Sequence, residues 1–231
     1  METQTMDQWE LVGTAMSHLR VICLCGKPGI GKTFAGLNSN STNVMSVNLS
    51  EDTVVQELFG HYVPKGQEFV YADGPVVSAM RTGCTLVINE LSRASSAVKD
   101  ALLGALDSKE SAKLTLANGD TVSAHPSFRC IITSNESAEE LDPALRDRCE
   151  TVINLSVPHP KLIEALDSAW QGLGKAIAAS YADPDRAIST RASFAYAKLR
   201  NASVSPEVSA KLAYGDRATD ILNTFKMAGV A

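Results

Sequence analysis

The segment Gly26-Lys-Pro-Gly-Ile-Gly-Lys32-Thr33 follows the apolar run Val21 to Cys25 and leads into a helical stretch. The pattern GxxxxGK[ST] between a strand and a helix is that of a phosphate-binding loop. Its glycines let backbone N–H groups converge on an anion, and the N-terminus of the following helix favours negative charge. Lys32 supplies a point charge to terminal phosphates, and the Thr33 hydroxyl is a ligand for Mg²⁺. Gly26, Pro28, Gly29, Ile30, Gly31, Lys32 and Thr33 are therefore the expected nucleotide-binding residues, with ATP and Mg²⁺ as cofactors.

A strand feeding such a loop calls for more strands of the same kind. Thr85 to Ile88, Arg129 to Thr133 and Thr151 to Leu155 are short apolar runs separated by segments with helical patterning. Buried strands alternating with helices imply an α/β fold, a parallel sheet flanked by helices as in P-loop NTPases. Glu10 to Arg20 and Ser50 to Gly60 read as helices, and the Gly- and Pro-punctuated stretch Tyr62 to Pro75 reads as a loop inserted into a helix. Ala112 to Pro126 has two alternating arms about Asn118-Gly119, which predicts a β-hairpin. Beyond Pro158-His-Pro160, helices are expected at Lys161 to Ser180, Arg191 to Asn201, Pro206 to Leu212 and Asp216 to Met227. The organisation expected is an α/β subdomain over 1–157 and a small helical lid over 158–231.

Charge and composition narrow the partners. With 21 Lys+Arg against 26 Asp+Glu the net charge is −5, which does not favour tracking along a phosphate backbone. The apolar runs fall far short of the ~20 residues a spanning helix needs, so no membrane association is expected. The opening Met-Glu-Thr-Gln-Thr lacks a signal-peptide layout, and a cytoplasmic location is the expectation. Cys23, Cys25, Cys84, Cys130 and Cys149 show no CxxC spacing or neighbouring histidines and read as small buried hydrophobes. The scattered His18, His61, His125 and His159 are given no role, and Trp9 and Trp170 read as packing residues.

Two further strand ends carry polar groups. Thr85-Leu-Val-Ile-Asn89-Glu90 resembles the second nucleotide motif, in which an apolar strand delivers an acidic pair to the metal and the attacking water. Glu90 can polarise water as a general base, whereas Asn89, in place of an aspartate, can reach the metal through a bound water but adds no charge there. Ile131-Ile-Thr-Ser-Asn135-Glu136 sets Asn135 at the carboxyl edge of the third run, where ligands bind in open α/β sheets.

Asn89-Glu-Leu-Ser-Arg-Ala94 followed by Ala101-Leu-Leu-Gly-Ala-Leu106 resembles the MoxR-type AAA+ ATPases, the NorQ- and CbbQ-like group of the dynein-related AAA subfamily. The likeness runs over nearly the whole chain. It implies that Tyr62 to Pro75 is the group's helix-2 insert, that 112–126 is its hairpin before the first sensor, and that Asn135 is that sensor. It implies an arginine finger in Leu141-Asp-Pro-Ala-Leu-Arg146-Asp-Arg148, with Arg148 the better positional match and Arg146 the second. Arg191, in Ile188-Ser-Thr-Arg191, matches the second sensor, and a local pair with Asp185 is the alternative.

By the same resemblance the chain forms a homo-hexamer, hydrolyses ATP at subunit interfaces, and remodels or activates a client or adaptor protein, in some cases one with a von Willebrand factor A domain. Two other readings stay open. One is a nucleic-acid-directed motor of the McrB-like or mobile-element kind, which the acidic balance disfavours. The other is an assembly switch in which Asn89 has weakened hydrolysis.

Overall fold

A computed structural model describes residues 7–39, 43–107, 111–183 and 185–230. Contacts divide the chain into two units: Met1–Gly26 with Lys32–Asn154, and Lys27–Gly31 with Leu155–Ala231.

In the first unit the strands are β1 (Val21–Gly26), β2 (Val44–Asn48), β3 (Gly60–Lys65), β4 (Glu68–Asp73), β5 (Thr85–Asn89), β6 (Lys113–Thr115), β7 (Thr121–Ser123), β8 (Arg129–Ser134) and β9 (Thr151–Leu155). Five of them form one sheet in the order β2-β5-β8-β1-β9. The pairs β2·β5, β5·β8 and β8·β1 are parallel. Every residue of β5 is buried, as expected of a central strand covered on both faces. The core gathers Leu86, Ile88, Cys130 and Ile132 from the sheet with Val76, Met80, Val98 and Leu102 from helices Pro75–Thr82 and Ser96–Leu106. Cys23, Cys25, Cys84 and Cys130 are buried free thiols, and Cys149 is half-buried.

In two stretches the structure differs from the sequence expectation. Only Val55–Phe59 of the stretch Ser50 to Gly60 is helical. The segment between it and helix Pro75–Thr82 is an antiparallel hairpin, β3·β4, in place of a loop. Pro64 argues against a strand because it cannot donate to a ladder, yet a two-stranded hairpin is all edge and tolerates it. Strand β2 has no counterpart in the sequence expectation: it lies at the sheet edge, with Met45 and Val47 half-buried and Ser46 and Asn48 exposed, and carries no continuous apolar run.

The hairpin β6·β7 forms as expected, with Leu114 opposite Val122. Its turn is longer than a two-residue Asn-Gly loop. Gly119 N–H bonds to Leu116 O and Leu116 N–H to Asp120 O, with Gly119 at φ +89°, the three-residue loop whose last residue must be left-handed.

In the second unit the helices are Pro160–Ala169, Leu173–Ser180, Thr190–Asn201, Pro206–Tyr214 and Ala218–Met227. The continuous helix expected over Lys161 to Ser180 is broken after Ala169 by Gly172 at φ +81°. The two pieces pack so closely that a side chain at Gly174 would collide with the Ile163 carbonyl. Tyr196, Tyr214 and Phe225 form an aromatic cluster with ring centroids 5.3–5.9 Å apart. Trp170 is a packing residue as expected, lying under the Arg200 guanidinium at 5.0 Å. Among the described residues no helix is long and apolar enough to cross a membrane.

Candidate functional site

The parallel register determines which side chains meet. Val21 pairs with Cys130 and Thr85 with Arg129, so β1, β5 and β8 start level and end together. Their carboxyl ends deliver Gly26, Asn89-Glu90 and Ser134-Asn135 to one edge of the sheet.

Lys32 opens helix Lys32–Leu37, and its side chain is buried at 7% exposure. Its ammonium donates to Gly26 O at 2.6 Å and to Asn135 Oδ1 at 3.0 Å. The other end of the Asn135 amide, Nδ2, donates to Glu90 Oε2 at 2.8 Å. An amide placed between an ammonium and a carboxylate can satisfy both in one orientation only, oxygen to the cation and nitrogen to the anion. Lys32, Asn135 and Glu90 are thus a single hydrogen-bonded chain. Burial pulls the Lys32 ammonium down to about 8, and the Glu90 carboxylate opposes that shift.

Asn89 is the hub of a second network. Its Oδ1 accepts from Thr33 Oγ1 at 2.8 Å and Thr133 Oγ1 at 3.3 Å, while Nδ2 donates to Ser46 Oγ at 2.9 Å and Val47 O at 3.4 Å. Both ends of the amide are therefore held, and the residue is 3% exposed. An asparagine fits here because the β2 edge offers acceptors to its nitrogen. Ser46 and Thr133 are site residues that the sequence reading missed. The alternation Met45-Ser-Val-Asn48, with Met45 and Val47 packed against the core, is the signal that would have found Ser46.

Glu90 adopts φ +60° and ψ +40°, left-handed values that cost a non-glycine residue on the order of 1–3 kcal/mol and cluster at functional sites. The turn carries the chain from β5 into a short 3₁₀ segment, Leu91–Arg93, with Arg93 N–H bonded to Glu90 O.

The middle of the phosphate loop, Lys27–Gly31, groups with the second unit. The Thr190 hydroxyl donates to Gly29 O, and His159 N–H donates to Ile30 O at 2.8 Å. Gly29 and Gly31 have φ of +86° and +106°, and a side chain at Gly31 would meet His159 Cβ at 2.8 Å. Arg191 follows Thr190 at the start of helix Thr190–Asn201, and its exposed side chain has no hydrogen-bond or ion-pair partner among the described residues. The alternative pairing with Asp185 does not form.

Arg146 and Arg148 lie on helix Pro143–Arg148, capped by Asp142, whose carboxylate accepts from Ala144 and Leu145 N–H. Two residues beyond Arg148, Glu150 N–H bonds to Val21 O at the start of β1, roughly 17 Å of strand away from Gly26. The structure therefore does not bring either arginine to its own chain's phosphate loop. Arg148 pairs with Asp147 at 2.9 Å and Asp107 at 3.8 Å, whereas Arg146 is exposed with no side-chain partner among the described residues.

The family model described as AAA domain (dynein-related subfamily) matches residues 21–149. Midasin of Dictyostelium discoideum is 32% identical over 123 residues, 50% of this chain and 2% of midasin. The gas vesicle ATPase GvpN of Haloferax mediterranei is 29% identical over 170 residues, 62% of this chain and 47% of GvpN. The chain thus spans less than half the length of these curated relatives. A RuvB mutant of Thermotoga maritima superposes with a TM-score of 0.51 at 18% identity, over 95% of this chain and 67% of that one. At that identity the likeness speaks for the fold alone.

Proposed function

This chain belongs to the AAA domain family, dynein-related subfamily, and from that premise we propose that it binds and hydrolyses Mg·ATP in a homo-oligomeric ring to remodel a partner protein. The observation that carries the reading is the Lys32–Asn135–Glu90 chain at the carboxyl edge of the sheet. It joins a phosphate-seeking cation to a carboxylate base through one oriented amide.

The residues fit the expected ligands. Thr33 Oγ1 and Asn89 Oδ1 are hard oxygens 2.8 Å apart beside Lys32, and Mg²⁺ is commonly held by few protein oxygens, with waters and phosphates completing its shell. The metal would neutralise charge on the β- and γ-phosphate oxygens. Lys32 would exchange Gly26 O for phosphate, Asn135 would hold the attacking water in line, and Glu90 would take its proton. By resemblance, Arg148 of a neighbouring subunit completes the site and Arg191 reads its phosphate state. The distance of Arg148 from its own loop supports action in trans. Exposed Tyr62 and Phe69 on β3·β4, the latter 73% exposed, support a protein client that grips apolar side chains.

Calorimetric titration with Mg·ATP tests nucleotide binding. In the free protein Lys32 is charged below pH 8 and loses its proton above it, whereas bound phosphate raises its affinity for that proton. Binding is therefore expected to weaken as pH rises from 7 to 9, approaching about tenfold per unit above 8, with proton uptake that Lys32→Ala abolishes. Absence of binding at pH 7 would remove the proposal.

Asn89 also yields a prediction. Asn89→Asp adds a charge facing Thr33, and it is expected to lower the Mg²⁺ concentration for half-maximal turnover by about tenfold. An unchanged Mg²⁺ requirement would show that this position does not reach the metal even through water.

A further inference from the structure

We propose that Thr190 is a positioning residue for the phosphate loop: its hydroxyl, with the His159 N–H, fixes the loop's carbonyls outward so that its amides are set to receive phosphate. The inference rests on the reading that Gly26–Thr33 binds nucleotide.

A phosphate loop works by turning successive N–H groups toward one point, which leaves its carbonyls facing away and in need of donors. In this chain two of those donors are identified. The Thr190 hydroxyl takes Gly29 O, and His159 N–H takes Ile30 O at 2.8 Å. Both anchors are themselves fixed. Thr190 is 3% exposed and begins a helix whose cap, Ser189, accepts from Ala192 N–H. His159 caps helix Pro160–Ala169, its ring accepting from Lys161 N–H at 3.2 Å.

The fit leaves the loop little room. A Cβ on Gly29 would sit 3.2 Å from Ser189 Oγ, and one on Gly31 would press on His159 and Leu162. Loose peptide planes would have to be ordered by the incoming anion at a cost in affinity, whereas planes already held bind without that cost. The His159 contact uses a backbone N–H and cannot be removed by side-chain substitution. Thr190 can be tested because its contact is a hydroxyl on a side chain that valine matches in shape.

The experiment compares Thr190→Val and Thr190→Ser with the parent protein. Mg·ADP affinity is measured by calorimetry, and hydrogen exchange of the loop amides is followed without nucleotide. Thr190→Val is expected to weaken ADP binding by roughly three- to tenfold, the range of one lost hydrogen bond. It should speed exchange at residues 29–32 while leaving exchange within helices Pro160–Ala169 and Thr190–Asn201 unchanged. Thr190→Ser should bind within about twofold of the parent, since the hydroxyl is kept. Parent-like affinity and loop exchange in Thr190→Val would overturn the inference. Equal weakening by serine and valine would do so as well, and so would loss of protection throughout both helices. If the parent itself binds no ADP, the nucleotide reading fails, and loop exchange alone then decides whether Thr190 orders the loop.

Discussion

Glu90→Gln is expected to cut phosphate release by about 10²- to 10⁴-fold while leaving Mg·ATP binding within a few-fold of the parent. The amide keeps the length of the side chain and its Oε1 can still accept from Asn135 Nδ2, so the Lys32–Asn135 link survives. What is lost is the carboxylate proposed to take a proton from water. A filter-binding assay should recover unhydrolysed ATP on the variant, whereas the parent should return ADP. If Glu90→Gln turns over like the parent, the base lies elsewhere, and the left-handed backbone at Glu90 would need another explanation.

The second large effect concerns a residue far from the loop of its own chain. Arg148→Ala is expected to lower turnover by about 10³-fold or more, the scale seen when an arginine finger is removed from phosphoryl transfer. Its ion pairs with the exposed Asp147 and the half-exposed Asp107 are of the weak surface kind and would give way to a phosphate. Arg146→Ala is expected to cost much less. Because the finger is assigned to a neighbour's site, mixing Arg148→Ala with Glu90→Gln subunits should recover activity that neither has alone. No recovery on mixing would contradict a finger supplied in trans, and a larger loss at Arg146 would reassign the finger to that exposed arginine on the same helix.

How much of this was legible beforehand depended on whether the signal was local. The loop from Gly26 to Thr33, Asn89-Glu90 and Asn135 each sit at the end of an apolar run, and parallel pairing in level register then brings them together. Ser46 was hidden because its strand is an edge strand with one half-buried face. The insert reads as a loop because Pro64, Gly66, Gly74 and Pro75 punctuate it, whereas its strands show only in cross-strand pairs such as Tyr62 with Tyr71 and Val63 with Val70. Gly172 marks the broken helix only in hindsight, since a single glycine is often tolerated inside a helical pattern. The tie from Thr190 to Gly29 spans 161 positions and leaves no trace in local patterning.

A shared ATPase active site, completed by a second copy of the chain, is what we propose. It is tested most directly by phosphate release from Mg·ATP across protein concentration, with molecular mass measured on the same samples by light scattering. The account predicts turnover per subunit that rises with concentration in step with the appearance of a multimer. Turnover that is constant per subunit in a monomer would contradict the shared site, and ATP binding without phosphate release from the assembled multimer would contradict hydrolysis itself.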